Sequence, residues 1–496
     1  MMRTSQSARS RSRGAPLVIA SNRGPVEFDE GPDGAVYGRR GGGGLIAIVG
    51  PALASSGGVW VAAACSPTDR QVARIADRNN QLITVYLPQG TITVRSIDVD
   101  EDAFQIYYHR VATQTLWFLH HHLFDLARSP HFGPELRADW LAYEQVNGAF
   151  AAACADEVAP GGTVLLQDYH LAAAPALLRA QRRDVRIVHC TMCPWADPAY
   201  FATLPAWMAR RLIDGMLGAD LLSFFVPRWV KCFLRSCADL GYDVEWSSSS
   251  VGGSNGDATA VRAVPVGVDI DDLRAQLGGP RGQAESAAVR ELVGDQRLIL
   301  RVDRLEPAKN IVRGIAGFES FLAANPSERG SVLHYVLAYS SRVDTPDYQR
   351  YAAEVRHAVG AVNERFRTDT WEPVVLDTLN NFERGLALMA RADVVVVNPL
   401  RDGMNLVAKE AAAVSANNAV VILSQHAGAA DDLAVGALVI NPFDTEELAD
   451  AIATGLAMAL AERSRRLMML REAAGAIRPR DWLASLLAEL DQIRPT

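Results

Sequence analysis

Short apolar runs recur along the chain, each followed by a stretch with helical spacing, and this alternation predicts the architecture before any single residue is considered. In the first half the runs are Leu17–Ala20, Thr163–Leu166, Arg186–Thr191, Leu221–Phe225 and Val261–Pro265. In the second half they are Leu298–Val302, Leu333–Tyr339, Pro373–Leu376, Ala392–Val397, Ala419–Leu423 and Ala437–Ile440. Strands that are apolar on both faces and alternate with helices belong to doubly wound parallel sheets. The chain therefore reads as α/β, with two such domains. The pattern breaks between Asp269 and Pro280, at Gly278-Gly279-Pro280, which puts the domains at 15–272 and 273–478. A final helix surrounds Trp482–Leu490 within 479–496. The polar run SSSSVGGSNGD (247–257) reads as a hairpin tip, because strand signal resumes after it, and GPDGAVYGRRGGGG (31–44) reads as a loop.

Bulk properties narrow the function. The 496 residues suffice for two cores. With 49 Lys+Arg against 57 Asp+Glu the net charge is -8, which argues against nucleic-acid or anionic-membrane partners, so attraction for a phosphate must be local. Cysteines 65, 154, 190, 193, 232 and 237 lack the spacing of a disulfide scaffold, as expected in a reducing cytoplasm. No apolar run is long enough to span a bilayer. Residues 1–14, MMRTSQSARSRSRG, have no hydrophobic core and read as a disordered tail rather than a secretory signal. Cys190-x-x-Cys193 beside His189 lacks the second pair a zinc site needs, and the consecutive His120-His121-His122 cannot all face one ion; the histidines read as one buried and two solvated.

The most informative segment is VVVVNPLRDGMNLVAKE (394–410), a buried strand, a tight polar turn and a helix. Gly403 permits close approach of the backbone to a ligand, and the amides of Met404, Asn405 and Leu406 at the helix start would face an anion or sugar oxygens. Asp402 is placed to accept from sugar hydroxyls and Glu410 to grip a ribose diol. Gly, Asp and Glu fall together at the carboxyl end of a strand, where open α/β sheets bind ligands.

RDGMNLVAKE resembles the donor-binding signature of the trehalose-6-phosphate synthase family, and the likeness runs from about Leu17 to the C-terminus. The resemblance implies two Rossmann-like domains facing a cleft, the GT-B glycosyltransferase fold, with the final helix packed on the first domain. It implies a retaining glycosyltransferase that uses a nucleoside-diphosphate sugar and a sugar-phosphate acceptor, with no cofactor; UDP, GDP and ADP donors all stay open, as does homo-oligomerisation. In RVDRLEPAKN (301–310), Arg304 and Lys309 match the family's diphosphate cations. With no Asp-x-Asp pair at a suitable strand end, metal independence is expected. Arg23 and Arg342 could clamp the acceptor phosphate; Tyr108, Trp117 and Asp168 match the family's acceptor residues, and Gly43-Gly44 its glycine loop over the donor phosphates. Singly, the two aromatics read as core; in family order with Arg23, Asp168 and Arg342 they read as a binding wall.

The family's active-site His is replaced. Aligned on Pro194-Trp195, the position is Met192, on the donor-sugar side, and a thioether donates no hydrogen bond. Ala63, His109 and Thr113 also depart from the family pattern. The phosphate clamps persist while sugar-facing residues change. Besides a plain synthase, two alternatives follow: a natural-product or pseudo-glycosyltransferase with an altered sugar, and an inactive sugar-phosphate sensor. No motif offers a carboxylate nucleophile, so the resemblance implies front-face substitution, with Arg304 and Lys309 stabilising the leaving group and Asp402 assisting.

Overall fold

The computed structural model describes residues 9–10, 14–31, 34–40, 49–50, 53, 57–87, 90–253 and 258–494. The chain divides into two compact units, one comprising Met1–Pro265 with Pro479–Thr496 and the other Val266–Arg478. The division falls earlier than 272 because the intervening stretch is bonded into the second unit. Lys409 Nζ donates to Val266 O at 2.8 Å and Val268 N to Ala474 O at 3.1 Å.

The second unit is a six-stranded, all-parallel sheet among the described residues, in spatial order Val374–Asp377, Val332–Ser340, Arg297–Leu305, Val394–Val397, Val420–Ser424, Leu438–Ile440. Counted along the chain this is third, second, first, fourth, fifth, sixth. The order therefore reverses direction between the first and fourth strands, the position at which such sheets open a ligand crevice. Every residue of Val394–Val397 is buried, which is why the run is uninterrupted valine rather than alternating. Helix Ile311–Ala324 covers one face through Ile315, Phe318 and Leu322, in a core shared with Ile299, Val336 and Ile422.

The first unit repeats the plan. Its parallel strands lie in the order Gly90–Ile97, Val59–Ala63, Ala15–Ser21, Val158–Gln167, Arg186–Cys190, Leu221–Phe224, Ala258–Ala263, again third, second, first, fourth onward. Gln81–Leu87 pairs antiparallel at one edge, and Val244–Glu245 with Ser250–Gly252 forms a hairpin at the other. Two expectations need correction. Part of 31–44 is strand, since Val26–Glu30 and Val36–Arg40 form a hairpin that buries Val26 and Phe28 on alternate positions. Within the expected tail, Arg9–Ser10 pairs with Gln81 and Leu82.

The final helix, Pro479–Ile493, buries Trp482, Leu483, Leu486 and Leu490, the spacing of one helical face. Trp482 is fully buried and its indole N–H donates to Val264 O at 3.2 Å. No helix among the described residues is long and apolar enough to cross a membrane. Trp482→Ala should remove about 3–5 kcal/mol from the first unit. Hydrogen exchange should then show lost protection in Ala258–Ala263 with Arg297–Leu305 unaffected.

Candidate functional site

In the second unit the turns after the first and fourth strands build the site. The first strand runs into Glu306, a 3₁₀ turn Pro307–Lys309 and Asn310, whose left-handed φ of 59° lets the chain turn into the helix. The fourth strand runs into a turn ending at Asn405, φ 72°, before helix Leu406–Val414. Leu400 N donates to Ala308 O at 2.9 Å and ties the two turns together. Gly403 is pressed against Gly428, where an added Cβ would meet Gly403 O at 2.0 Å, so both backbones need that glycine. The amides of Met404, Asn405 and Leu406 donate to no acceptor among the described residues. Three orphan donors at a helix start form an anion-ready face.

Charged groups crowd the same turns. Lys309 Nζ lies 2.5 Å from Asp402 Oδ2, which also accepts from Asn405 Nδ2 at 3.1 Å. Burial pulls the Lys309 ammonium down, but Asp402, Asp303 and Glu306 together outweigh it and leave its pKa raised. Beneath them, fully buried Arg301 bonds Asp303 at 2.8 Å and Lys309 O at 2.9 Å. Burial pushes the Asp303 carboxyl up to about 6, with Arg301 and Lys309 opposing. Arg304 approaches Glu306 at 3.0 Å and Arg342 approaches its other oxygen at 3.5 Å. Arg342 therefore stands beside the expected donor cation Arg304. Glu410, half-buried, has no side-chain partner among the described residues, and burial pushes it up to about 7.

In the first unit the corresponding reversal lies between Ala15–Ser21 and Val158–Gln167. The chain leaves the first of these strands through Ser21, which accepts from Trp60 Nε1 at 2.8 Å and donates to Arg23 O at 2.7 Å. Arg23 is exposed and Nη2 reaches Tyr108 OH at 3.5 Å. Asp168 follows the other strand at φ 67°, ψ 172°, a strained geometry for a non-glycine residue. Its Oδ1 accepts from Met192 N at 3.1 Å and Cys193 N at 3.3 Å, while burial raises its pKa against these bonds. Tyr108 and Trp117 sit on a twelve-residue π-helix, Ile106–Trp117, a rare form that clusters at functional sites. Tyr108 is half-buried and stacks on His170, whereas Trp117 is packed inside with His121 stacked on it at 3.7 Å.

The structure thus groups Arg304, Lys309, Arg342, Asp402 and Gly403–Leu406 around one reversal, and Arg23, Tyr108, Asp168 and Met192 around the other. Gly43 and Gly44 lie outside the described residues. Met192 is half-buried, and His189 cannot replace the missing imidazole. It is buried, its Nε2 contacts Asp168 O at 3.1 Å, and burial pushes it down to about 4. One histidine expectation fails: both His120 and His121 are buried, at the end of the short helix Phe118–His120, with His120 packed against Trp195 and His121 stacked on Trp117. No group of three or more His, Cys, Asp or Glu among the described residues could hold a metal ion. Sequence reasoning passed over Glu306, which reads as one acid among bases in a loop.

A family model described as Glycosyltransferase family 20 matches residues 16–492. The chain belongs to glycosyltransferase family 20. Over 470 residues it is 32% identical to the bifunctional trehalose-6-phosphate synthase/phosphatase of Thermoproteus tenax, a match covering 92% of this chain and 61% of that protein. The chain thus spans less than two thirds of that relative's length. Validamine 7-phosphate valienyltransferase of Streptomyces hygroscopicus subsp. jinggangensis is 30% identical over 500 residues, covering 96% of this chain and 94% of the relative. The crystal structure of an alpha,alpha-trehalose-phosphate synthase (UDP-forming) from Burkholderia vietnamiensis matches with TM-score 0.82 and 27% identity, covering 97% of this chain and 100% of that one. This family 20 chain is a glycosyltransferase with the GT-B fold, similar to trehalose-6-phosphate synthases.

Glu410 gives a pH signature. Its folded value lies above the ordinary 4.5, so ionisation opposes folding, and stability falls as pH rises from about 4.5 until the loss is complete near 7. Glu410→Gln, which cannot ionise, should melt a few degrees above the natural chain at pH 8 and match it at pH 4, as read by calorimetry.

Proposed function

We propose that this glycosyltransferase moves a sugar, with retention, from a UDP-sugar to a phosphorylated sugar acceptor, and that its donor sugar differs from glucose around the 6-hydroxyl. The observation that carries the donor half is the set of unpaired amides at Met404, Asn405 and Leu406 beside Arg304 and Lys309. In this reading the diphosphate lies on those amides and cations, and Glu410 holds the ribose diol. The second oxygen of Asp402, which has no hydrogen bond among the described residues, accepts from a sugar hydroxyl. The matched relatives named UDP-forming support uridine as the base. Arg23, Tyr108, Asp168 and Arg342 hold the acceptor, with Trp117 backing the aromatic wall.

The bond from the anomeric carbon to the leaving phosphate oxygen breaks as the acceptor hydroxyl oxygen bonds to the same face, and its proton passes to that phosphate oxygen. Arg304 and Lys309 stabilise the charge on the departing nucleotide, so no metal ion is needed for that task. Lys309→Ala should therefore lower kcat on the order of a hundredfold.

Met192 supports the altered sugar, because its thioether cannot bond a hydroxyl and His189 is already engaged. The similarity to a valienyltransferase favours one form of this, transfer of a cyclitol in place of a sugar. Release of nucleoside diphosphate should be followed with UDP-glucose or a UDP-sugar lacking the 6-hydroxyl, each with a panel of sugar and polyol phosphates, with and without EDTA. The expected result is turnover that survives EDTA and favours the deoxy donor, with Met192→His shifting preference toward UDP-glucose by about tenfold. Tight binding without turnover on any pair would instead indicate a sensor, and loss of activity with EDTA would contradict the cation mechanism.

A further inference from the structure

Glu306 is held in the turn by its own backbone, with its N–H donating to Arg304 O at 2.9 Å and its carbonyl accepting from Lys309 N at 3.1 Å. Its side chain is 0% exposed, and its two oxygens face two different guanidiniums, Arg304 at 3.0 Å and Arg342 at 3.5 Å. Oε1 accepts no well-aligned hydrogen bond, so the Arg304 contact is Coulombic and off the hydrogen-bond axis. Arg342 is itself restrained, at φ 48°, with Nη1 donating to Tyr348 OH and its guanidinium 5.3 Å from that ring. A carboxylate anchored this way stays when an anion arrives. Any phosphate on these guanidiniums must share them with Glu306.

Building on the reading above that Arg304 faces the donor diphosphate, we propose that Glu306 is a positioning residue and a shared internal counter-ion. It holds Arg304 and Arg342 against their mutual repulsion, keeping Arg304 aimed at the charge that develops on the leaving phosphate while Arg342 stays beside it for the acceptor phosphate. It also lowers the positive potential of the pair, which limits retention of the released nucleoside diphosphate.

The two effects have opposite signs in one variant. Glu306→Gln keeps the shape and removes the charge, so UDP should bind about tenfold more tightly by titration calorimetry while kcat falls at least tenfold. Damage to packing alone would weaken UDP together with kcat, and that result, or unchanged UDP affinity, overturns the proposal. Arg304→Ala, run in parallel, should weaken UDP binding. If it does not, the donor reading itself has failed and the role of Glu306 falls with it. Should Glu306→Gln fail to fold, Glu306→Asp keeps the charge and withdraws the oxygens. Then kcat should fall while UDP affinity stays within about threefold, and a larger loss of affinity counts against the idea.

Discussion

Each unit depends on the reversal of strand order in a parallel sheet. Where the first and fourth strands lie side by side, their onward connections leave toward opposite faces, and the carboxyl ends stay uncovered. Backbone donors at the following helix starts then lack partners, and polar side chains in the turns can converge there. In the second unit this reversal carries Glu306–Asn310 and Asn398–Leu406; in the first it carries Asn22-Arg23 and Asp168. The candidate site residues come from distant parts of the sequence because the topology gathers strand ends rather than neighbours.

Holding so many ions in a protein interior is costly unless each has a fixed partner. The second unit meets that requirement with short pairs, Lys309 with Asp402 and Arg301 with Asp303, and with one carboxylate serving Arg304 and Arg342. Four of the eight non-glycine residues with positive φ among the described residues lie in the same places. Asp168, Asn310, Arg342 and Asn405 all adopt positive φ, and each borders one of the two reversals or its charged cluster. Glu410 shows the same trade in another form, since a carboxyl without a partner weakens the fold while keeping its oxygens open to a ligand.

Much of this was legible in the chain because burial on both faces leaves continuous apolar runs, as at Val394–Val397, and because turn chemistry is local, as at Arg401–Asn405. Val59–Ala63 and Gly90–Ile97 were harder to read. The first is a short run rich in alanine, and the second alternates with polar residues near a sheet edge. The π-helix under Tyr108 and Trp117 has no distinct composition, and Glu306 shows its role only when Arg342, from another strand end, is brought to it. Met192 could be recognised as a departure from sequence alone. That His189 cannot stand in for the missing imidazole followed from its burial and its contact with Asp168 O.

In the proposed function, orphan amides and paired cations at the reversal of the second sheet receive a nucleoside diphosphate. A crystal structure of the protein with UDP tests it most directly. The diphosphate should lie within hydrogen-bond reach of the amides of Met404–Leu406 and of Arg304 and Lys309, with the ribose on Glu410. UDP bound elsewhere, with those amides facing only water, would contradict it.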